Sequence, residues 1–246
     1  MPSVNGVVHL KRFTTNSGWT QVGESATGGG VSGTESAGQL VRLGASAGVV
    51  HIAFRGARDV AGVRVYSIRH LVLGDAGFAS LAADDTISTV DGSEMSGPAL
   101  AFDGAGVPAV TWSYTPVGGA DSQLAVTRYM PVTNRWVEQS ALPAQLPPLT
   151  AGVAAPRQPA LLLGDDGALV LAFSALTSSG QRDIFVRRQT QSGWRAVTGD
   201  GAGNVSQTSE DSGWPRITAR PGGKLVVGWE QTLATGGSGY YIAREP

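Results

Sequence analysis

Short apolar runs bounded by glycine, proline and small polar residues recur from one end of the chain to the other. The stretch Pro159–Val197 holds one complete unit: PALLL, the turn GDDG, ALVLAF, a polar loop, DIFVRR, the turn QTQSG, and WRAV. Short apolar runs with turn residues at each end predict short β-strands, here designated A, B, C and D. No window places apolar residues at helical spacing between caps, so no substantial helix is expected.

The unit repeats. An aromatic opens strand D at Trp19, Phe78, Trp136 and Trp194, and another closes strand B at Phe54, Trp112, Phe173 and Trp229, so two independent markers share a period of about 58 residues. The repeat units are 1–38 (strands C and D only), 39–97, 98–158, 159–214 and 215–246 (A, B and C only). Strand C carries the apolar pairs Val8/Leu10, Tyr66/Ile68, Leu124/Val126, Ile184/Val186 and Tyr240/Ile242, each on one face of its strand. Two residues further on stand Arg12, His70, Arg128, Arg188 and Arg244. This column reads either as a ligand-binding ring or as packing and pairing within the repeat array, the commoner use of a shared repeat position. Glycines in the A-to-B turns supply the positive φ of tight hairpins. Val31-Ser32, Ile87-Ser88 and Val205-Ser206 mark a shared step from strand D into strand A, which the third unit replaces with a proline-rich loop.

Four antiparallel strands repeated head to tail describe an all-β fold, a β-propeller of about four four-stranded blades spanning 1–246 as one domain. Strands A, B and D occur four times and strand C five times, because both Val7–Phe13 and Tyr240–Ala243 match it. Two outcomes follow: a closed monomer with one surplus strand, or a homo-oligomer in which terminal strands complete a blade of a second chain.

Composition narrows the partners. Lys and Arg number 18 against 19 Asp and Glu, for a net charge of −1, so nothing favours nucleic acid. The absence of Cys excludes disulfides, zinc-thiolate sites and thiol nucleophiles. His9, His51 and His70 lack ligand spacing, so neither metal nor cofactor is expected. GDGAG at Gly199–Gly203 follows a strand but precedes no helix, which removes the dinucleotide reading. No apolar run approaches a membrane span. MPSVNG is not a signal peptide. The chain is then either cytoplasmic or a mature domain of a longer secreted protein without its signal peptide; low charge with abundant Gly, Ser and Thr leads us to expect the second, an extracellular or cell-surface domain.

The units resemble bacterial β-propeller families built on P-x-x-A-x-D-x-x-G-x-x-x-V-x-W … I-x-V-x-R … W repeats, which include propeller lectins that bind fucose and related sugars and the wider sialidase-like propellers. The resemblance covers nearly the whole chain and implies the fold; no site residue is carried over from it. In such a blade strand A begins and strand B ends on one face of the ring, where long loops concentrate binding residues. The candidates are Arg55, Tyr114, Glu230 and Gln231 after strand B, and Arg157, Gln158 and Trp214 before strand A. Trp214, in EDSGWP, reads as a stacking platform on a loop or as a packing plug; Glu230 reads as a site carboxylate or a solvated one. With no catalytic motif visible, the expectation is a non-enzymatic, lectin-like module that binds carbohydrate; the alternatives are a glycosidase- or sialidase-like propeller enzyme and a structural, protein-interaction propeller.

Overall fold

The computed structural model describes residues 7–22, 30–32, 39–75, 77–83, 86–88, 92–139, 149–164, 166–197 and 203–245. Residues 198–202, which hold most of the GDGAG stretch, lie outside them, as do most of the proline-rich loop and parts of the other D-to-A connections. The described residues form strands and turns with no helix. An N-terminal hairpin, β1 (Lys11–Thr14) and β2 (Gly18–Gln21), is followed by blade 1, made of β3 (Gln39–Ser46), β4 (Val49–Val60), β5 (Val63–Gly74) and β6 (Gly77–Ala79). Blade 2 is β7 (Gly92–Met95), β8 (Ala99–Phe102), β9 (Pro108–Pro116), β10 (Gln123–Met130) and β11 (Arg135–Glu138). Blade 3 is β12 (Ala154–Leu163), β13 (Leu169–Leu176), β14 (Arg182–Thr190) and β15 (Gly193–Ala196). Blade 4 has three strands, β16 (Ser212–Ala219), β17 (Leu225–Thr232) and β18 (Ser238–Arg244). The predicted strands A to D are thus present in order, all pairings are antiparallel, and the chain is an all-β propeller. The short β7 pairs with both β5 and β9 and so joins blades 1 and 2 into one sheet.

A blade has two apolar faces and must bury both against its neighbours. Four clusters fill the gaps. Val8 and Val31, from the segments flanking the hairpin, pack against Phe54 and Leu71 of blade 1; Ile68, Met95 and Trp112 lie between blades 1 and 2. Val126, Leu163, Phe173 and Trp194 fill the gap between blades 2 and 3; Ile184, Val227 and Trp229 lie between blades 3 and 4. Every strand-B aromatic is therefore an inter-blade plug, as its period implies, and all four are buried. Of the strand-D aromatics, Trp194 is buried, Phe78 and Trp136 pack partly buried against the same clusters, and Trp19 is 70% exposed. Gly44 is required where blades 1 and 2 meet, because a Cβ there would stand 2.5 Å from the Phe102 ring.

The repeated polar positions also have structural work. Val31, Ile87 and Val205 donate their N–H groups to the carbonyls of Val8, Ile68 and Ile184 at 2.7, 2.8 and 2.8 Å. The hydroxyls of Ser32, Ser88 and Ser206 accept from the N–H groups of those same strand-C residues. The Val/Ile-Ser step is thus a latch that fastens the D-to-A connection to strand C. The basic column pairs with the A-to-B turns: Arg128 with Asp103 at 2.6 Å and Arg188 with Asp166 at 2.7 Å. Arg128 also reaches the Gly167 carbonyl of blade 3. In blade 1 the turn has no acid, and His70 bonds His51 instead at 3.1 Å, between the rings of Phe102 and Trp136. In blades 1, 2 and 3 this column serves packing and pairing.

Candidate functional site

Three strands A share an irregularity at their first residues. The pairing register shifts between Gln39 and Arg42, between Arg157 and Ala160, and between Gly213 and Arg216. Just inside each bulge sits a non-glycine residue in the left-handed region: Leu40 (φ 53), Gln158 (φ 54) and Trp214 (φ 52). A bulge re-aims side chains at the end of a strand, and left-handed backbone at such residues costs about 1–3 kcal/mol. Gln158 uses its new direction to bridge blades: its Oε1 accepts from the Trp214 N–H at 2.9 Å and from the Ser174 hydroxyl at 3.3 Å.

Beside this bulge, at the junction of blades 1, 2 and 3, lies a cavity of about 510 Å³. Its lining includes Arg55 and Tyr66 from blade 1, Glu94, Ser96 and Tyr114 from blade 2, Ser122 from the connection between β9 and β10, and Arg157 and Gln158 from blade 3. The Arg55 guanidinium lies 4.5 Å over the Tyr66 ring and donates to the Met95 carbonyl at 2.7 Å, which fixes it across the blade boundary. Ser122 donates to the Pro156 carbonyl at 2.9 Å. Tyr114 donates to Gln123 Oε1 at 3.1 Å. Burial, and then the Glu138 carboxylate, push the Tyr114 hydroxyl above its ordinary value, so it is a protonated donor at neutral pH. Burial lowers the Arg182 guanidinium and the charge of Arg157 lowers it further, while Asp211 raises it; Arg182 donates to the Ala155 carbonyl at 3.0 Å.

Four of the seven sequence candidates, Arg55, Tyr114, Arg157 and Gln158, converge on this cavity. Trp214 and Glu230 do not: they line a second cavity of about 510 Å³ on the outer face of blade 4, with Arg216, Tyr240 and Ile242. Trp214 also lies within β16 and not on a loop, 58% exposed. Gln231 is not an exposed ligand residue: two-residue alternation places it on the face of β17 that carries Leu225, Val227 and Trp229, and it is buried. Glu94 and Tyr66 escape sequence reasoning. Tyr66 gives no signal beyond its place in the strand-C apolar pair. Glu94 stands in a four-residue strand with no alternation, its only signal being a carboxylate in a serine-rich step. Among the described residues no group of three or more His, Asp or Glu could hold a metal ion, and no helix is long and apolar enough to cross a membrane.

No protein-family model matches the chain, and no curated protein matches it. Solved structures do. An alpha-L-arabinanase from Penicillium chrysogenum, complexed with arabinobiose, aligns with TM-score 0.53 and 14% identity over 84% of this chain and 61% of its own. A Hadza microbial sialidase aligns with TM-score 0.52 and 14% identity over 84% of this chain and 44% of its own. An endo-arabinase from Bacteroides thetaiotaomicron aligns with TM-score 0.50 and 16% identity over 93% of this chain and 80% of its own. At such identities the likeness carries the fold. The expectation of a non-enzymatic, lectin-like module is corrected at this point: the structures that share the fold are named as an arabinanase, a sialidase and an endo-arabinase, which are enzymes.

Proposed function

We propose that the chain is a glycosidase-type propeller that holds a glycan in the cavity between blades 1, 2 and 3 and cleaves it there, in an extracellular setting. The observation that carries this reading is the convergence of Arg55, Tyr66, Glu94, Tyr114, Arg157 and Gln158 from three blades on one cavity. A volume of about 510 Å³ suits a small sugar. Glycoside hydrolysis ordinarily needs two carboxylates about 5–10 Å apart, while some families use a tyrosine nucleophile. Among the described residues the lining offers one carboxylate and two tyrosines, which favours the second plan. Glu94 then takes the Tyr66 hydroxyl proton as that oxygen bonds the anomeric carbon and passes it to the leaving oxygen as the glycosidic bond breaks; water afterwards cleaves the tyrosyl–sugar bond, its hydroxyl going to the sugar and its proton back to Tyr66. Tyr66 is held in place under the Arg55 guanidinium, and the protonated Tyr114 donates a hydrogen bond to the sugar. Arg157 and Gln158 orient the ligand. The activities named for the neighbours select the first probes, aryl arabinofuranosides and aryl sialosides. Hydrolysis of one of them, abolished in Tyr66→Phe with the fold intact by circular dichroism, is the expected result; an inactive wild-type chain across a broad aryl-glycoside panel contradicts the proposal.

A further inference from the structure

The outer face of blade 4 repeats an interface that is occupied between the other blades. In blade 3 the corresponding face carries Ala160, Val170, Ala172, Ile184 and Val186, all buried under Leu225, Val227 and Trp229 of blade 4. Matching the strand registers, Ala160 pairs with Ala172 as Arg216 pairs with Gly228, and Ser174 pairs with Ile184 as Glu230 pairs with Tyr240. The strand-C pair of blade 4 keeps its apolar character but has no cover among the described residues: Tyr240 is 85% exposed and Ile242 65%. The strand-A and strand-B positions beside it have become charged, as Arg216 and Glu230. Among the described residues neither forms an ion pair, and Arg216 turns back to the Pro215 carbonyl at 3.0 Å.

We propose that this face docks a second copy of the chain about a two-fold axis. The register argues for a protein occupant, since each equivalent face is covered by another sheet. The charges argue for a copy of itself. A two-fold contact is self-complementary, so residue i meets j and j meets i. Opposite charges on one face, without ion pairs among the described residues, then meet their partners twice: Arg216 against Glu230 of the other copy, and the reverse. Tyr240, Ile242 and Trp214 form the apolar centre between the two pairs. Three strands about 4.8 Å apart and about eight residues long give a footprint of roughly 400 Å² per copy, at the small end of specific interfaces. Association in the micromolar range is therefore expected, and it is independent of the catalytic reading.

Sedimentation velocity on the full chain from about 1 to about 200 µM, the range a micromolar dimer requires, tests the proposal. The expected result is a concentration-dependent dimer that Tyr240→Ser abolishes and Trp19→Ser leaves intact. Arg216→Glu sets like charges across the axis and weakens the dimer at least about tenfold, and adding Glu230→Arg restores it. All these side chains are on the surface, and circular dichroism verifies that each variant folds. A monomer throughout the range overturns the proposal, as does a charge swap without rescue. Equal loss in Trp19→Ser and Tyr240→Ser would overturn it in favour of head-to-tail joining. A persistent monomer that a soluble polysaccharide retards in a Tyr240-dependent manner would overturn it in favour of a glycan platform.

Discussion

Acid should destabilise this protein well before its carboxylates titrate, and His70 is the reason. The His70 ring is fully buried, bonded to His51 and enclosed by aromatic rings, and burial followed by the His51 charge lowers it from 6.5 to about 3. His51 is lowered by burial as well. A base with a depressed folded pKa is neutral in the native state and protonates first in the unfolded chain. Stability is therefore full above about pH 6.5 and is lost as pH falls towards the folded value. At about 1.36 kcal/mol for each pH unit, His70 alone costs about 2–3 kcal/mol at pH 4.5 and about 4–5 kcal/mol near pH 3. Against a typical total of about 5–15 kcal/mol this is decisive. The depressed acids Asp103 and Asp166 act in a separate window, because their contribution is present above the unfolded carboxylate value and falls away only below about pH 4. Urea unfolding followed by circular dichroism at pH 7.5 and pH 4.5 should show the loss in wild type and less than half of it in His70→Gln. Equal losses in the two proteins would refute the assignment.

Trp112→Ala, which empties the plug between blades 1 and 2, should cost about 3–5 kcal/mol in the same assay. Asp103→Ala should cost about 2 kcal/mol, because Asp103 accepts from Ala105 and Val107 as well as Arg128; Asp166→Ala, at a more exposed pair, should cost about 0.5 kcal/mol. Trp214→Gly should leave stability unchanged or raise it by about 1 kcal/mol, since glycine accepts the left-handed backbone and the indole is exposed; a loss above about 3 kcal/mol would mean that Trp214 is a buried plug.

The fold was legible because packing enforces it at fixed intervals. Each strand-B aromatic must fill an inter-blade gap, so Phe54, Trp112, Phe173 and Trp229 carry the period openly. The site was legible only in part. The rule that strand A begins where strand B ends brought Arg55, Tyr114, Arg157 and Gln158 to one mouth. It could not tell that Glu230 turns away from that mouth, since the choice of face depends on the blade that follows. Nor could it see the bulges that throw Gln158 and Trp214 into the left-handed region, because neither residue is a glycine that would announce one. Gln231 was expected after strand B, but β17 runs on to Thr232, so two-residue alternation returns Gln231 to the buried face. Glu94 was hidden because β7 is held by pairing across two blades and not by an apolar alternation of its own.

The most direct test of the central claim compares Glu94→Gln with Glu230→Gln on whichever aryl glycoside the wild type hydrolyses. The two carboxylates line separate cavities, one at the junction of blades 1, 2 and 3 and one on the outer face of blade 4. If the mouth is the site of cleavage, Glu94→Gln lowers kcat by about 10²–10⁴-fold, the usual contribution of a positioned acid, and Glu230→Gln leaves kcat/KM within about twofold. Full activity in Glu94→Gln, or collapse in Glu230→Gln alone, would contradict the account.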